Sequence, residues 1–273
     1  RELYQDEADR QESDIWIQIK HGNVVAVEDL FKGFGTDMTY TSESMDEDGN
    51  TILCAAAKWG QKRLVRRALK WACDVNHLND DGLSAVEIAV AHDHEGVAEY
   101  LIDHEADVTK FGRTLLHEVG ARDMPSAANA LLQRNVPAHS EDLDGCTPLH
   151  EASGAASDKV VKLLIDRGAA LDAQRKSTGR TPLHEAALSG DGASSVRIVT
   201  LLMEAGARVD VKDNQGKTPW RTALTKNHQA VAKILRTSMR GTLVKSPPWS
   251  ECSIEQETST SPWLRGTLAR SQT

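Results

Sequence analysis

Asp142-Leu143-Asp144-Gly145-Cys146-Thr147-Pro148-Leu149-His150-Glu151-Ala152 is the stretch whose reading decides the fold, because it returns as Thr178-Gly179-Arg180-Thr181-Pro182-Leu183-His184-Glu185-Ala186-Ala187. A weaker copy stands at Gly216-Lys217-Thr218-Pro219-Trp220, and worn ones at Gly49-Asn50-Thr51-Ile52-Leu53 and Gly112-Arg113-Thr114-Leu115-Leu116-His117. Local chemistry explains the unit. Gly145 lets the backbone enter a tight turn at positive φ. Thr147 suits a helix cap, and Pro148 then takes the first helical position, where a missing N–H costs nothing. Leu149 and Ala152 follow at helical spacing and face a core. The turn glycines 49, 82, 112, 145, 179 and 216 lie 33, 30, 33, 34 and 37 residues apart, and self-similarity at such a period marks a solenoid.

At these residues the chain resembles the ankyrin-repeat family, whose signature is Gly-x-Thr-Pro-Leu-His-x-Ala. The resemblance implies an all-α solenoid of paired antiparallel helices with β-hairpin fingers. It covers residues 13–236 in about seven repeats, the first a divergent cap. Helices are expected near 51–59 and 62–71, then 84–92 and 95–103. It also implies that His150 is structural and bonds backbone in the neighbouring turn. Residues 1–12 read as a polar lead-in, and 237–273, rich in Ser, Thr and Pro, as a disordered tail. In that tail Arg240-Gly241-Thr242-Leu243 returns as Arg265-Gly266-Thr267-Leu268, which is read either as a docking motif or as coincidence. Two spacings depart from 33. The gap of 30 falls at a finger three residues short, and the gap of 37 holds an insertion at Asp191-Gly192-Ala193-Ser194-Ser195.

Composition narrows the function classes. Aromatic residues are 4% of the chain, which suits helices packed through small side chains. A net charge of −8 argues against general nucleic-acid or anionic-membrane binding. No apolar run reaches the ~18 residues of a membrane span. Cys54, Cys73, Cys146 and Cys252 stand far apart without a Cys-x-x-Cys pair, so no zinc ribbon or redox motif is supported. The first two read as buried thiols, and an intracellular setting is expected, cytoplasmic with the nucleus open. Gly216-Lys217-Thr218 lacks the upstream glycine of a phosphate-binding loop. His92-Asp93-His94 falls at a turn between helices, with Asp93 in the place of glycine. No metal, cofactor or catalytic set is expected, and the chain is read as a monomer and not an enzyme.

The basic run Lys58, Lys62, Arg63, Arg66, Arg67 and Lys70, flanked by Trp59 and Trp71, suggests phosphate or acidic-lipid binding when read alone, but 33 residues on from Lys62, Arg66 and Lys70 stand Glu95, Glu99 and Asp103. A ladder of ion pairs between adjacent second helices is therefore expected, with Arg66 also meeting Glu28.

The expected function is binding of a partner protein or peptide through the concave groove and the fingertips. In ankyrin-like repeats the two residues before the inter-helix glycine look into the groove. Here the groove candidates are Lys58, Trp59, His92, Arg122, Leu188 and Lys226, with Gly154 and Ala155 as a small-residue floor. Trp59, His92 and Arg122 form a stripe suited to a carboxylate-bearing or aromatic peptide segment. At the fingertips Asp46, Glu47, Asp48, Asp80, Asp81, Asp142 and Asp144 are acidic. Arg180 and Lys217, with Lys176 and Lys212, are basic, and Phe111 is the aromatic tip residue. Two alternatives stand beside this reading: a targeting or spacer segment of a larger multidomain enzyme or channel, and an adaptor whose tail recruits a second protein.

Overall fold

The computed structural model describes residues 15–33, 44–110 and 113–244. Residues 15–20 are helical and pair with α1 (Val24–Gly33). Six helical hairpins follow: α2 and α3 (Ile52–Lys58, Lys62–Lys70), α4 and α5 (Ala85–Ala91, Glu95–Asp103), α6 and α7 (Leu115–Ala121, Pro125–Gln133). They continue as α8 and α9 (Pro148–Gly154, Asp158–Asp166), α10 and α11 (Pro182–Ser189, Ala193–Glu204), α12 and α13 (Pro219–Thr225, Gln229–Val244). The short first helices form an inner layer and the longer second helices an outer one. Helix α13 carries the chain past Arg236 through Thr237 to Val244, into the stretch read as tail. Phe111, Cys252 and the second copy of the tail fragment (265–268) lie outside the described residues, whereas the first copy (240–243) falls within α13.

The layers are held by small and aliphatic side chains. Leu53, Leu116, Leu149, Leu183, Leu64, Leu131 and Leu164 are fully buried along the stack. Each contributes roughly 1.5–3 kcal/mol of transfer free energy. At Gly120 of α6 an added Cβ would stand 3.2 Å from the Pro148 carbonyl of α8, a backbone approach that larger residues would prevent. The close inner layer explains the scarcity of aromatics.

The turn inside each hairpin needs a left-handed residue. Gly60 supplies it in the first full repeat (φ 67°), and Asp93, standing where glycine was expected, adopts φ 61°. Between hairpins the chain reaches sideways into six fingers. Gly145 at φ 72° has its Cβ position 3.3 Å from the Gln174 carbonyl of the next finger, so packing as well as conformation calls for glycine there.

The fingers are mostly turns rather than ladders. Asp46 accepts from the N–H groups of Asp48 and Asn50 through one carboxylate oxygen. Asp142 does the same for Asp144 and Cys146, and Asp213 for Gln215 and Lys217. Those N–H groups are thereby taken from any strand pairing. Among the described residues the two-stranded ladder is β1 and β2 (Thr109–Lys110, Arg113–Thr114), in the finger that is three residues short. Isolated bridges Met45–Thr51 and Leu78–Ser84 mark two others.

Candidate functional site

The groove rests on a fixed inner scaffold. Thr147 ends the finger and starts α8, and its N–H donates to Nδ1 of His150 at 3.1 Å. Nδ1 therefore carries no proton, and Nε2–H donates to the Arg180 carbonyl of the next finger at 3.1 Å. His184 repeats the arrangement with Thr181 and the Lys217 carbonyl, and His117 Nε2 lies 3.0 Å from the Cys146 carbonyl. Burial pushes His150 down to about 4 and lowers His184 as well. His150 is thus a structural link to the next finger, as the resemblance implied, and His184 and His117 make the same kind of bond. In α4 the role passes to Glu87, whose carboxylate accepts from the Ser84 N–H and hydroxyl.

On this scaffold the predicted groove residues fall at the ends of the inner helices. Trp59, His92 and Arg122 are the C-terminal caps of α2, α4 and α6, all solvent-exposed, and Lys226 caps α12. Trp59 is 43% exposed, and the Lys20 ammonium lies 4.7 Å from its ring centroid. The turns carrying the stripe are tied together. His94 Nε2 lies 3.0 Å from the Lys58 carbonyl, and Arg122 donates to Asp93 at 2.9 Å while meeting Glu118 at 3.7 Å. The His92 ring stacks at 6.4 Å on that of His94. Lys58 reaches Asp48 of the finger at 3.6 Å. Leu188 is half-buried in α10, while Gly154 and Ala155 are exposed at the end of α8.

The fingertips join one another. The Asp80 N–H donates to the Asp48 carbonyl, Lys176 to Asp144 and Asn214 to Thr178, at 2.7–3.1 Å. Glu47, Asp48, Asp80 and Asp81 are exposed. Asp144 accepts from both the N–H and the hydroxyl of Ser177, which hold its carboxyl below the usual range. Arg180 and Lys217 are half-buried, their carbonyls serving the histidines. Asp46 and Asp142, among the acidic tip residues, also close their own turns.

The ion-pair ladder also needs correction. Arg67, not Arg66, meets Glu28, and Arg66 rests over the Tyr100 ring at 5.2 Å. Lys62 reaches Glu99 at 3.9 Å, one helical turn beyond the residue a repeat length predicts. Glu95 accepts instead from the Ser126 N–H at the start of α7. Long side chains lean diagonally between stacked helices, so equal repeat positions are not the ones that touch.

One cluster escaped the sequence reading. Arg175 stands where other fingers place Asp46, Asn79, Asp142 or Asp213. Instead of closing its own turn, it crosses to Cys146 Sγ at 2.8 Å and Glu151 at 2.9 Å, with Glu185 at 3.9 Å. Burial raises the Glu185 carboxyl and pushes the Cys146 thiol up to about 12, so this thiol is no nucleophile. The replacement of an acidic turn residue by arginine was the available signal. Among the described residues no group of three or more His, Cys, Asp or Glu side chains is placed to hold a metal ion, and no helix is long and apolar enough to cross a membrane.

Comparison with known proteins agrees with this geometry. The family model for ankyrin repeats matches residues 15–112, 116–213 and 155–242, and the chain belongs to the ankyrin-repeat family. Mouse nuclear factor NF-kappa-B p105 subunit is 35% identical over 133 residues, 46% of this chain and 14% of that protein. Human ankyrin repeat and SOCS box protein 16 is 34% identical over 158 residues, 54% of this chain and 34% of that protein. The chain thus spans about a third or less of these relatives. The human ASB11 ankyrin repeat domain superposes with a TM-score of 0.67 at 21% identity, covering 86% of this chain and 98% of that domain. Ankyrin repeats are protein–protein interaction modules.

Proposed function

We propose that this chain is a non-catalytic binding module that holds a partner protein in its concave groove, with Trp59, His92 and Arg122 as the central contacts. The carrying observation is the Trp59 indole, 43% exposed at the end of α2 and backed by Lys20. A large aromatic left open beside cations and fixed on a helix end supplies contact area at little ordering cost. Lys20, Lys58 and Arg122 favour a partner segment bearing carboxylates or aromatic rings. Leu188 and Lys226 extend the groove, and the fingertips form its outer rim. Three free buried thiols, Cys54, Cys73 and Cys146, support an intracellular setting.

The test is affinity capture with the full chain, followed by titration of the captured partner. Trp59→Ala and Arg122→Ala should each weaken binding about tenfold or more, roughly 1.4 kcal/mol, with far-UV circular dichroism unchanged. Wild-type affinity in both variants places the contact elsewhere. A second reading, the repeats as a targeting segment within a larger protein, is favoured by the small share of each relative that the chain spans.

A further inference from the structure

The outer helix α3 carries more cations than the acids around it meet. At about 100° per residue, they run around the helix in the order Lys62, Arg66, Lys70, Arg63, Arg67. The two at the edges are closed by the neighbouring outer helices. Lys62 reaches Glu99 of α5 at 3.9 Å, and Arg67 meets Glu28 of α1. The three in the middle, Arg66, Lys70 and Arg63, are exposed and share an arc of about 60°. No carboxylate among the described residues lies within ion-pair distance of them. Arg66 rests over the Tyr100 ring at 5.2 Å. A guanidinium stacked on a ring is held in place, while its edge N–H groups stay open to a carboxylate. Arg63 and Lys70 stand about 10 Å apart along the helix axis, at ~1.5 Å per residue.

The fold itself gains nothing from cations at the start of this helix. Lys62 and Arg63 stand in the first turn of α3, where the helix dipole favours acids and no acid is present. The first turns of α5 and α9 carry Glu95 and Asp158 instead. A local rule broken with no compensating contact inside the molecule marks a functional surface. We propose that the outer face of α3 docks an acidic segment of a partner protein, its carboxylates meeting Arg63, Arg66 and Lys70 in one row. The chain's net charge of −8 opposes the approach of a long polyanion or an anionic membrane. A short acidic segment covers the three cations without meeting the acidic remainder of the surface. Contacts between exposed charges are individually small, so this docking is weak and salt-dependent. The face belongs to the outer layer, whereas the groove is lined by the ends of the inner helices, so this is a second surface beyond the proposed function.

The test is fluorescence anisotropy of a fluorescein-labelled peptide titrated with the full chain, in salt near 0.05 M and again near 0.5 M. The peptide has about 15 residues, with glutamates three and four residues apart among alanines, the spacing of the α3 cations. The expected result is saturable binding at low salt that weakens about tenfold or more at high salt. Arg63→Gln/Arg66→Gln/Lys70→Gln should bind about tenfold or more weakly at low salt, with circular dichroism unchanged. Lys159→Gln/Lys162→Gln, on exposed positions of α9, should bind like wild type, and so should Trp59→Ala and Arg122→Ala in the groove. Wild type that does not bind the peptide overturns the proposal, and so does an equal loss in the α9 variant or a loss confined to the groove variants. Wild type retained by phosphatidylserine vesicles and not by the peptide makes the face a lipid site and overturns it as well. Binding that emerges only in Glu2→Gln/Asp6→Asn/Glu7→Gln/Asp9→Asn shows the chain's own acidic lead-in on the face, which also overturns an external partner. The α3 triple variant should still capture a groove partner, so failure here is distinguishable from failure of the groove reading.

Discussion

At the scale of the residue, His150 shows how a histidine beside a glutamate can carry no catalysis. Its Nδ1 lone pair receives the Thr147 N–H and its Nε2 proton goes to the Arg180 carbonyl, so both nitrogens are committed in the neutral form. Protonation would put a proton where the Thr147 bond arrives. The folded value of about 4 lies below the free value of 6.5, so the unfolded chain takes up the proton first. The resulting stability is complete above pH 6.5 and is lost as pH falls towards 4, about 2 kcal/mol of it by pH 5. His184 adds in the same direction. Urea unfolding at pH 7 and pH 5 should show this loss. His150→Ala should lower stability at pH 7 by about 1–3 kcal/mol and flatten that part of the pH dependence. This residue was legible because its repeat position announced its bonds. Arg175 was not, since its partners Glu151 and Glu185 belong to the preceding and its own inner helix, and only the packed fingers bring them within reach.

At the scale of the element, two outer helices, α7 and α13, begin on an acid supplied by the repeat before them. Glu95 accepts from the Ser126 N–H of α7. Asp191, in the inserted turn between α10 and α11, accepts from the N–H groups of Ala230 and Val231 of α13, which hold its carboxyl below the usual range. The insertion that lengthens this repeat is therefore a cap for the last helix. Asp191→Ala should lower stability by removing this cap and reduce amide-exchange protection in α13 more than in α9. The outer helices also test the corrected register. A double-mutant cycle on Glu28→Lys and Arg67→Glu should give a coupling of roughly 0.2–1 kcal/mol, small because both groups are partly solvated. The same cycle on Glu28 and Arg66 should give none. Except at the end of α13, which runs to Val244 beyond the expected limit at 236, helix limits were readable to within a residue or two, since Thr, Pro and the left-handed turn residues punctuate them. The ion pairs were not, because reach across helices depends on side-chain lean and not on sequence spacing.

At the scale of the whole molecule, the histidine links gain a meaning that no single repeat has. His117, His150 and His184 each bond a carbonyl that lies one finger further on, at Cys146, Arg180 and Lys217. They belong to the joints between repeats and not to the repeats themselves. In a linear array the strength of the joints relative to the units decides whether the chain melts as one body or in pieces. Acid acts on the joints first. Between pH 7 and pH 5 the unfolding of this chain should lose cooperativity before it loses helix. The urea transition should broaden and its slope fall, and probes placed in α3 and α11 should cease to report the same midpoint. Coincident, equally steep transitions at both pH values would show that aliphatic packing, and not the histidine chain, makes the array behave as one.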